Sequence, residues 1–298
     1  MDSVPYAFCE AVCGVLSEND LMNKLCEDGA TDNHIWNLAA KRTQESRLDA
    51  KICVDFSGRT WSYAIKIRGE KCTDGRTLSF QELKKLDRQH IHFTYAWIGS
   101  QSRFEGRTST LEEIGEIFKF TAPCANMSDM RIPKCCTISE DDLSHLLSFY
   151  QNATFRRITC LYQNQAREEF LIAQMQTNAL EYLTFRGRGW TENLRPAIEE
   201  FALNKDFGSI DVGSSSLVFG RAFFDALIQK QLSRKRSTFE ARFSFDAQEL
   251  MTSGFQEIGL PHVDRSMPWI RQDGVAVTIR QYERLMAVVE LVQPMMWT

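Results

Sequence analysis

Apolar positions along this chain keep two rhythms, which change near residue 48. Before it, Phe8, Val12, Val15 and Leu16 form one stripe at helical spacing behind a Val4-Pro5 start. Pro5 suits a first helical turn, where its missing N–H is no loss, and Ser3 is placed to cap it. Ser17-x-x-Asp20 has the form of a capping box and opens a second helix with Leu21 and Leu25 on its apolar side. Gly29 ends that helix, and Asp32 caps a third that carries Ile35, Trp36, Ala39 and Ala40. Helices this short are not stable alone, so they need to pack on each other and on a partner.

After residue 48 the period shortens to two. Ile52, Val54 and Phe56 alternate with polar residues, as do Trp61, Tyr63, Ile65 and Ile67. Ser57-Gly58-Arg59-Thr60 between them predicts a β-hairpin or two successive strands. Residues 71–75 read as a polar loop and residues 78–86 as a short helix. From about residue 90 a strand-then-helix unit recurs. Ile91, Phe93, Tyr95 and Trp97 make a strand, and Thr110 caps a helix bearing Leu111, Ile114 and Phe118. Met130 and Ile132 come next, and Ser139 starts a helix with Leu143, Leu146, Leu147 and Tyr150. Ile158 and Cys160 precede a helix with Phe170 and Ala173. Leu183 and Phe185 precede Leu194, Ala197, Ile198 and Phe201. Ile210 and Val212 precede Phe219, Ala222, Phe223, Ala226 and Leu227. Phe239, Ala241, Phe243 and Phe245 close the series.

The strand anchors Ile132, Ile158, Leu183, Ile210 and Phe239 are 26, 25, 27 and 29 residues apart. That matches the roughly 20–29-residue period of leucine-rich repeats, though the Leu/Asn consensus is absent. A strand plus a helix at this period cannot bury its own apolar side, and stacking neighbours does so. The predicted fold class is therefore α/β. A small N-terminal helical segment, residues 1–48, precedes a leucine-rich-repeat-like strand/helix array over residues 49–298. An ordinary α/β domain with a parallel sheet fits the same alternation. The tail beyond Gly259 is less regular: Val275, Val277 and Ile279 alternate, while residues 282–292 fit a helix or a strand equally well.

The opening residues Asp2, Val4-Pro5 and Phe8-Cys9, followed by short helices and Trp36, resemble the F-box, in the shortened form that opens many nematode F-box proteins. The resemblance covers about the first fifth of the chain. It implies docking onto the Skp adaptor of a cullin-based ubiquitin ligase, with Val4, Pro5, Phe8, Val12, Leu16, Leu21 and Trp36 as the partner-binding positions. The C-terminal regions of that family are thought to select protein substrates. The other reading is a repeat-scaffold protein-binding module with no ubiquitin-ligase role, in which residues 1–48 only cap the array.

Composition narrows the rest. Of 298 residues, 43% are hydrophobic and 25% charged, as in an ordinary soluble chain, and the net charge of −4 creates no general attraction to nucleic acid or anionic membrane. Glu10 interrupts the N-terminal apolar residues, unlike a signal peptide, and no stretch approaches the roughly 18 apolar residues of a membrane span. The nine cysteines are odd in number and form no CxxC pair. They read as reduced, small buried hydrophobes of a cytoplasmic or nuclear chain.

Candidate chemistry is sparse. No P-loop occurs, and Arg186-Gly187-Arg188-Gly189-Trp190 has only two glycines, so it reads as a strand-to-helix turn. Gly213-Ser214-Ser215-Ser216 lacks the glycine that follows the serine in an esterase elbow. His90 and His92 form an HxH with no identifiable third ligand, and Cys135-Cys136 would point to opposite faces of a strand. The acidic pairs Glu112-Glu113, Asp141-Asp142, Glu168-Glu169 and Glu199-Glu200 read as solvated helix faces near favourable dipole ends. Lys230 with Arg234-Lys235-Arg236 is a basic run that reads as a solvated loop. The expectation is thus a non-enzymatic adaptor with no cofactor and no metal, whose partners are proteins.

Overall fold

The computed structural model describes residues 5–15, 34–57, 59–69, 72–99, 105–133, 138–161, 165–187, 189–231, 237–244, 247–252, 254–257, 266–271, 276–280 and 287–291. Val4, Leu16, Leu21, the second N-terminal helix, Cys135-Cys136 and the basic residues 234–236 lie outside them. The fold is mixed α/β, as expected, and opens with a helix. Contacts divide the chain into two compact units, residues 1–131 with 137–155 and residues 132–136 with 156–298.

The first unit begins with helices α1 (Tyr6–Val15) and α2 (His34–Ser46). Strands β1 (Leu48–Ser57) and β2 (Thr60–Gly69) follow as the expected antiparallel hairpin, with Phe56 opposite Trp61 and their rings 4.6 Å apart. Arg59 in the turn takes φ 69°, the left-handed region that tight hairpin turns demand. Strand β3 (Cys72–Leu78) then pairs antiparallel with β2. This corrects the loop expected over residues 71–75. An outer strand with hydrogen-bonding partners on one side only can be polar throughout, which hides it from an apolar pattern.

Helix α3 (Phe80–Leu83) is closed by a capping box: Ser79 Oγ accepts from the Glu82 N–H, and the Glu82 carboxylate accepts from the Ser79 N–H at 2.8 Å. Those bonds hold the Glu82 carboxyl down at about 2. Strand β4 (Ile91–Gly99) runs parallel to β1, and β5 (Arg107–Ser109) pairs with β2. Helices α4 (Leu111–Thr121) and α5 (Glu140–Ser148) start at Thr110 and Ser139, whose hydroxyls accept from the N–H of Glu113 and Asp142. Between them β6 (Asn126–Ile132) lies parallel to β4. The core here is Ile114, Ile117 and Phe118 against Leu143, Leu146, Leu147 and Tyr150. Tyr150 packs 4.8 Å from Phe118 and shares a 2.9 Å hydrogen bond with Thr121.

The second unit carries the regular array: β7 (Thr154–Leu161), α6 (Gln165–Gln176), β8 (Tyr182–Arg186), α7 (Leu194–Asn204), β9 (Ser209–Ser214), β10 (Val218–Phe219), α8 (Arg221–Gln231) and β11 (Ser237–Phe243). Strands β7, β8, β9 and β11 are parallel neighbours in that order. The periodic anchors sit opposite one another: Ile158 faces Leu183, Leu183 faces Ile210, and Ile210 faces Phe239. All four are buried. Helix α6 packs on α7 and α7 on α8, so the crossovers line one side of these strands and their apolar faces meet the anchor side.

Phe219, expected within a helix, lies instead in β10 and pairs with Phe243. It joins Phe207, Phe223, Phe224, Phe239, Phe243 and Phe255 in an aromatic core in which Phe239 lies 5.4 Å from Phe223 and 5.7 Å from Phe219. Along α8, Phe224 and Ile228 are buried together with Phe223 and Leu227, while Ala222 and Ala226 face solvent. The tail adds α9 (Ala247–Thr252) and strands β12 (Phe255–Glu257), β13 (Ser266–Arg271), β14 (Ala276–Arg280) and β15 (Ala287–Leu291). They form an antiparallel set that joins β11 through β15 and resolves residues 287–291 as a strand.

Candidate docking surface

Two helices with small residues between them leave two of their large ones, Phe8 and Leu38, outside. Pro5 accepts from the N–H groups of Phe8 and Cys9 at 3.0 and 3.3 Å, setting the first turn of α1. One turn on, Cys9 and Cys13 at i, i+4 face Ala39 and Ala40 of α2, and all four are fully buried. Tyr6, Ile35 and Trp36 pack partly around that seam. Side chains this short let the two helix backbones come close. They also leave little room inside for anything larger.

Phe8 is therefore on the outside, 55% exposed, and meets Trp36 edge-to-face at 6.2 Å with an interplanar angle of 82°. Leu38 of α2 is 50% exposed. Only three large hydrophobic residues are so exposed among the described ones, the third being Met251, and two of the three belong to this helical pair. Of the sequence-predicted partner-binding positions, Pro5 and Phe8 are exposed, and Val12 and Trp36 half-buried. Val4, Leu16 and Leu21 are outside the described residues. Leu38 was missed, because one leucine on a helix otherwise polar there gives no periodic signal. The inner seam was also missed: cysteine and alanine do not read as the core of a helix pair.

The foot of the pair meets the body of its own unit. Gly14, Thr43 and Arg47 line a small pocket with His90, Ile91 and His92. His90 ends a 3₁₀ turn and His92 stands in β4, and both residues of the HxH line this one pocket. Arg47 donates to Asp49 at 2.9 Å. Thr43 Oγ1 and His92 Nδ1 are buried here with no hydrogen-bonding partner. Burial, reinforced by the Arg47 guanidinium, pushes His92 down to about 4, so its ring is neutral at ordinary pH. Among the described residues no three His, Cys, Asp or Glu side chains converge on a point where a metal would sit.

The other candidate positions carry structure. Cys160 is buried and its thiol is pushed up to about 12, far from a reactive thiolate. Gly187 and Gly189, both at positive φ, make the turn from β8 toward α7, and Trp190 folds back to 5.0 Å from Phe185. Ser215 Oγ donates to Val212 and accepts from Leu217, while Ser216 accepts from Gly189 and donates to Trp190. These serines stitch one strand end to the next. Glu168 corrects the expectation of a solvated pair: it is buried, and its carboxylate accepts from the Thr191 N–H at 2.7 Å and the Thr191 hydroxyl at 2.6 Å. These two bonds tie α6 to the turn before α7.

Set against family models, curated proteins and solved structures, the chain matches none.

Proposed function

We propose that the chain is a substrate-recruiting, F-box-like adaptor of a cullin-based ubiquitin ligase. The observation that carries the reading is the exposure of Phe8, edge-to-face with half-buried Trp36, and of Leu38 on two helices whose inside is filled by cysteine and alanine. A helix pair of this build presents aromatic and aliphatic anchors to a groove on another protein. The Skp adaptor is the partner that the F-box resemblance names. The strand/helix array would hold a protein substrate, and the chemistry would belong to the bound ligase, raised by proximity alone. Among the described residues no helix is long and apolar enough to cross a membrane.

The second reading, a binding module in which the helices are a cap, is favoured by the pocket at their foot, where Gly14 and Thr43 abut His90 and His92. One pull-down separates the two. Purified full-length chain should retain the Skp adaptor, and Phe8→Glu with Leu38→Glu should abolish retention while the circular dichroism spectrum stays unchanged. Retention that survives both changes, or a wild-type chain that retains nothing, sinks the adaptor reading; the latter outcome leaves the cap.

A further inference from the structure

The last turn of α2 meets the start of β4 at the corner where the chain passes from helix into strand. Only Arg47 separates α2 from β1, and its N–H donates back to the Gln44 carbonyl at 3.3 Å. Strand β4 begins beside β1, with Leu48 opposite Ile91 and Asp49 opposite His92. The cavity at the foot of the helices lies in this corner, wholly within the first unit. Gly14, Thr43 and Arg47 line it from the helical side, and His90, Ile91 and His92 from the other. Its volume is about 10 Å³. A cavity needs about 10–15 Å³ to admit one water molecule, so this one holds a single water and nothing larger.

Thr43 Oγ1 and His92 Nδ1, one from each side, are buried here and bond neither to each other nor to any other atom. Their neighbours are engaged elsewhere. The Ser46 hydroxyl donates to the Arg42 and Thr43 carbonyls at 2.9 and 3.2 Å, and Arg47 Nε donates to Asp49 at 2.9 Å. A buried hydrogen-bonding group left unpaired destabilises a fold by more than a typical internal bond stabilises it, and native folds pair nearly all such groups, in part with water. A threonine hydroxyl both donates and accepts, while a nitrogen of a neutral imidazole does one or the other. Water does both, so one molecule serves the two atoms whichever ring nitrogen carries the proton. A small anion fits less well, because the Asp49 carboxylate already acts on the His92 ring.

We propose that this cavity binds one water molecule, which bridges Thr43 of α2 to His92 of β4 and so seats the helix pair on the sheet. The chain itself links α2 to that sheet at a single point, Arg47, and one link leaves a helix free to swing. A second tie, to the neighbouring strand, fixes its angle. Helix α1 follows, because the Cys9, Cys13, Ala39 and Ala40 seam that joins it to α2 is fully buried. The inference concerns how the pair is held and not what covers Phe8 and Leu38, so it stands apart from the adaptor reading.

The test begins with water–protein NMR on the full-length chain. Water held in a cavity gives nuclear Overhauser cross-peaks of opposite sign to those of surface water, and such peaks are expected at the Thr43 methyl and the His92 ring. Thr43→Val and His92→Phe should each lower the folding equilibrium constant about five-fold, and the double variant no further than either alone, because each single change leaves the bridge one partner short. Thr43→Ser, which keeps the hydroxyl, should keep the cross-peak at the His92 ring. In Thr43→Val, amide hydrogen exchange in α1 and α2 should rise at least about five-fold more than in strands β7 to β11. If His92→Phe does not fold, the wild-type cross-peaks and this exchange measurement decide. Wild type without slow-water peaks at either group, single effects that multiply in the double variant, or helices whose exchange rises no more than that of the strands each overturn the proposal. A His92 titration midpoint raised by added bromide would give the cavity to an anion and overturn it as well.

Discussion

The N-terminal helix pair and the parallel array solve opposite packing problems. The array puts its phenylalanines inside and leaves residues that alternate with them along the strands, such as Arg157, Asp211 and Glu240, half-buried. The helix pair puts cysteine and alanine inside and Phe8 and Leu38 outside. Large apolar side chains buried together supply most of the stabilisation of a fold, at about 25 cal/mol per Å² of apolar surface removed from water. By that measure the array is stabilised from within, while the helix pair keeps much of its apolar surface unspent. The contrast separates a scaffold from a surface that is complete only when covered.

Breaking the scaffold side should have the largest effect. Phe239→Ala removes a ring with four aromatic neighbours, Phe207, Phe219, Phe223 and Phe243. Urea unfolding should show a loss of about 3–5 kcal/mol. A smaller loss than that caused by any change in the helix pair would reverse the comparison.

The foot of the pair should respond to pH. The His92 ring is held at about 4 in the fold, against 6.5 ordinarily. Between those values the unfolded chain takes up a proton that the folded chain does not, so stability falls as pH drops from 6.5 toward 4. At pH 7 the depressed group costs nothing. By pH 4 the loss reaches about 3 kcal/mol. Chemical denaturation of wild type and His92→Gln across that range isolates it: their stability difference should move steadily through the window in favour of the glutamine variant. A constant difference would mean that the ring is not shielded at the foot of the helices.

The smallest effect belongs to the outer side. Phe8→Ala should alter the unfolding free energy by less than about 0.5 kcal/mol, because over half of that ring is already in water. A thermal melt shifted by many degrees would place Phe8 with the scaffold instead.

What the sequence made legible follows from which forces leave a pattern. The anchors from Ile158 to Phe239 were readable because burial on one side of a parallel strand demands an apolar residue at a fixed phase, and each demand repeats with the helix between. Helix starts at Thr110 and Ser139 were readable because a hydroxyl that accepts from an N–H three residues later is a local affair. Strand β3 was hidden by its one-sided pairing, which tolerates residues such as Thr73, Asp74 and Arg76. Glu168 was hidden because its partner, Thr191, lies beyond an intervening strand, and nothing local to the glutamate distinguishes it from a solvated one. On the docking surface, Phe8 and Trp36 were expected as anchors. Leu38 and the Cys9/Cys13 seam emerged only when the two helices were brought together.

The aligned anchors have one more implication. The stretches between them range from 25 to 29 residues, yet the four positions stay opposite one another. Slack is taken up in the turns, while the phase of each strand is fixed, since a slip of one residue would turn strand residues such as Glu240 inward and Phe239 out. Lengthening a turn should thus be forgiven where deleting one residue from a strand is not. Kin of this chain would be recognised by the beat of those positions long after the letters between them had changed.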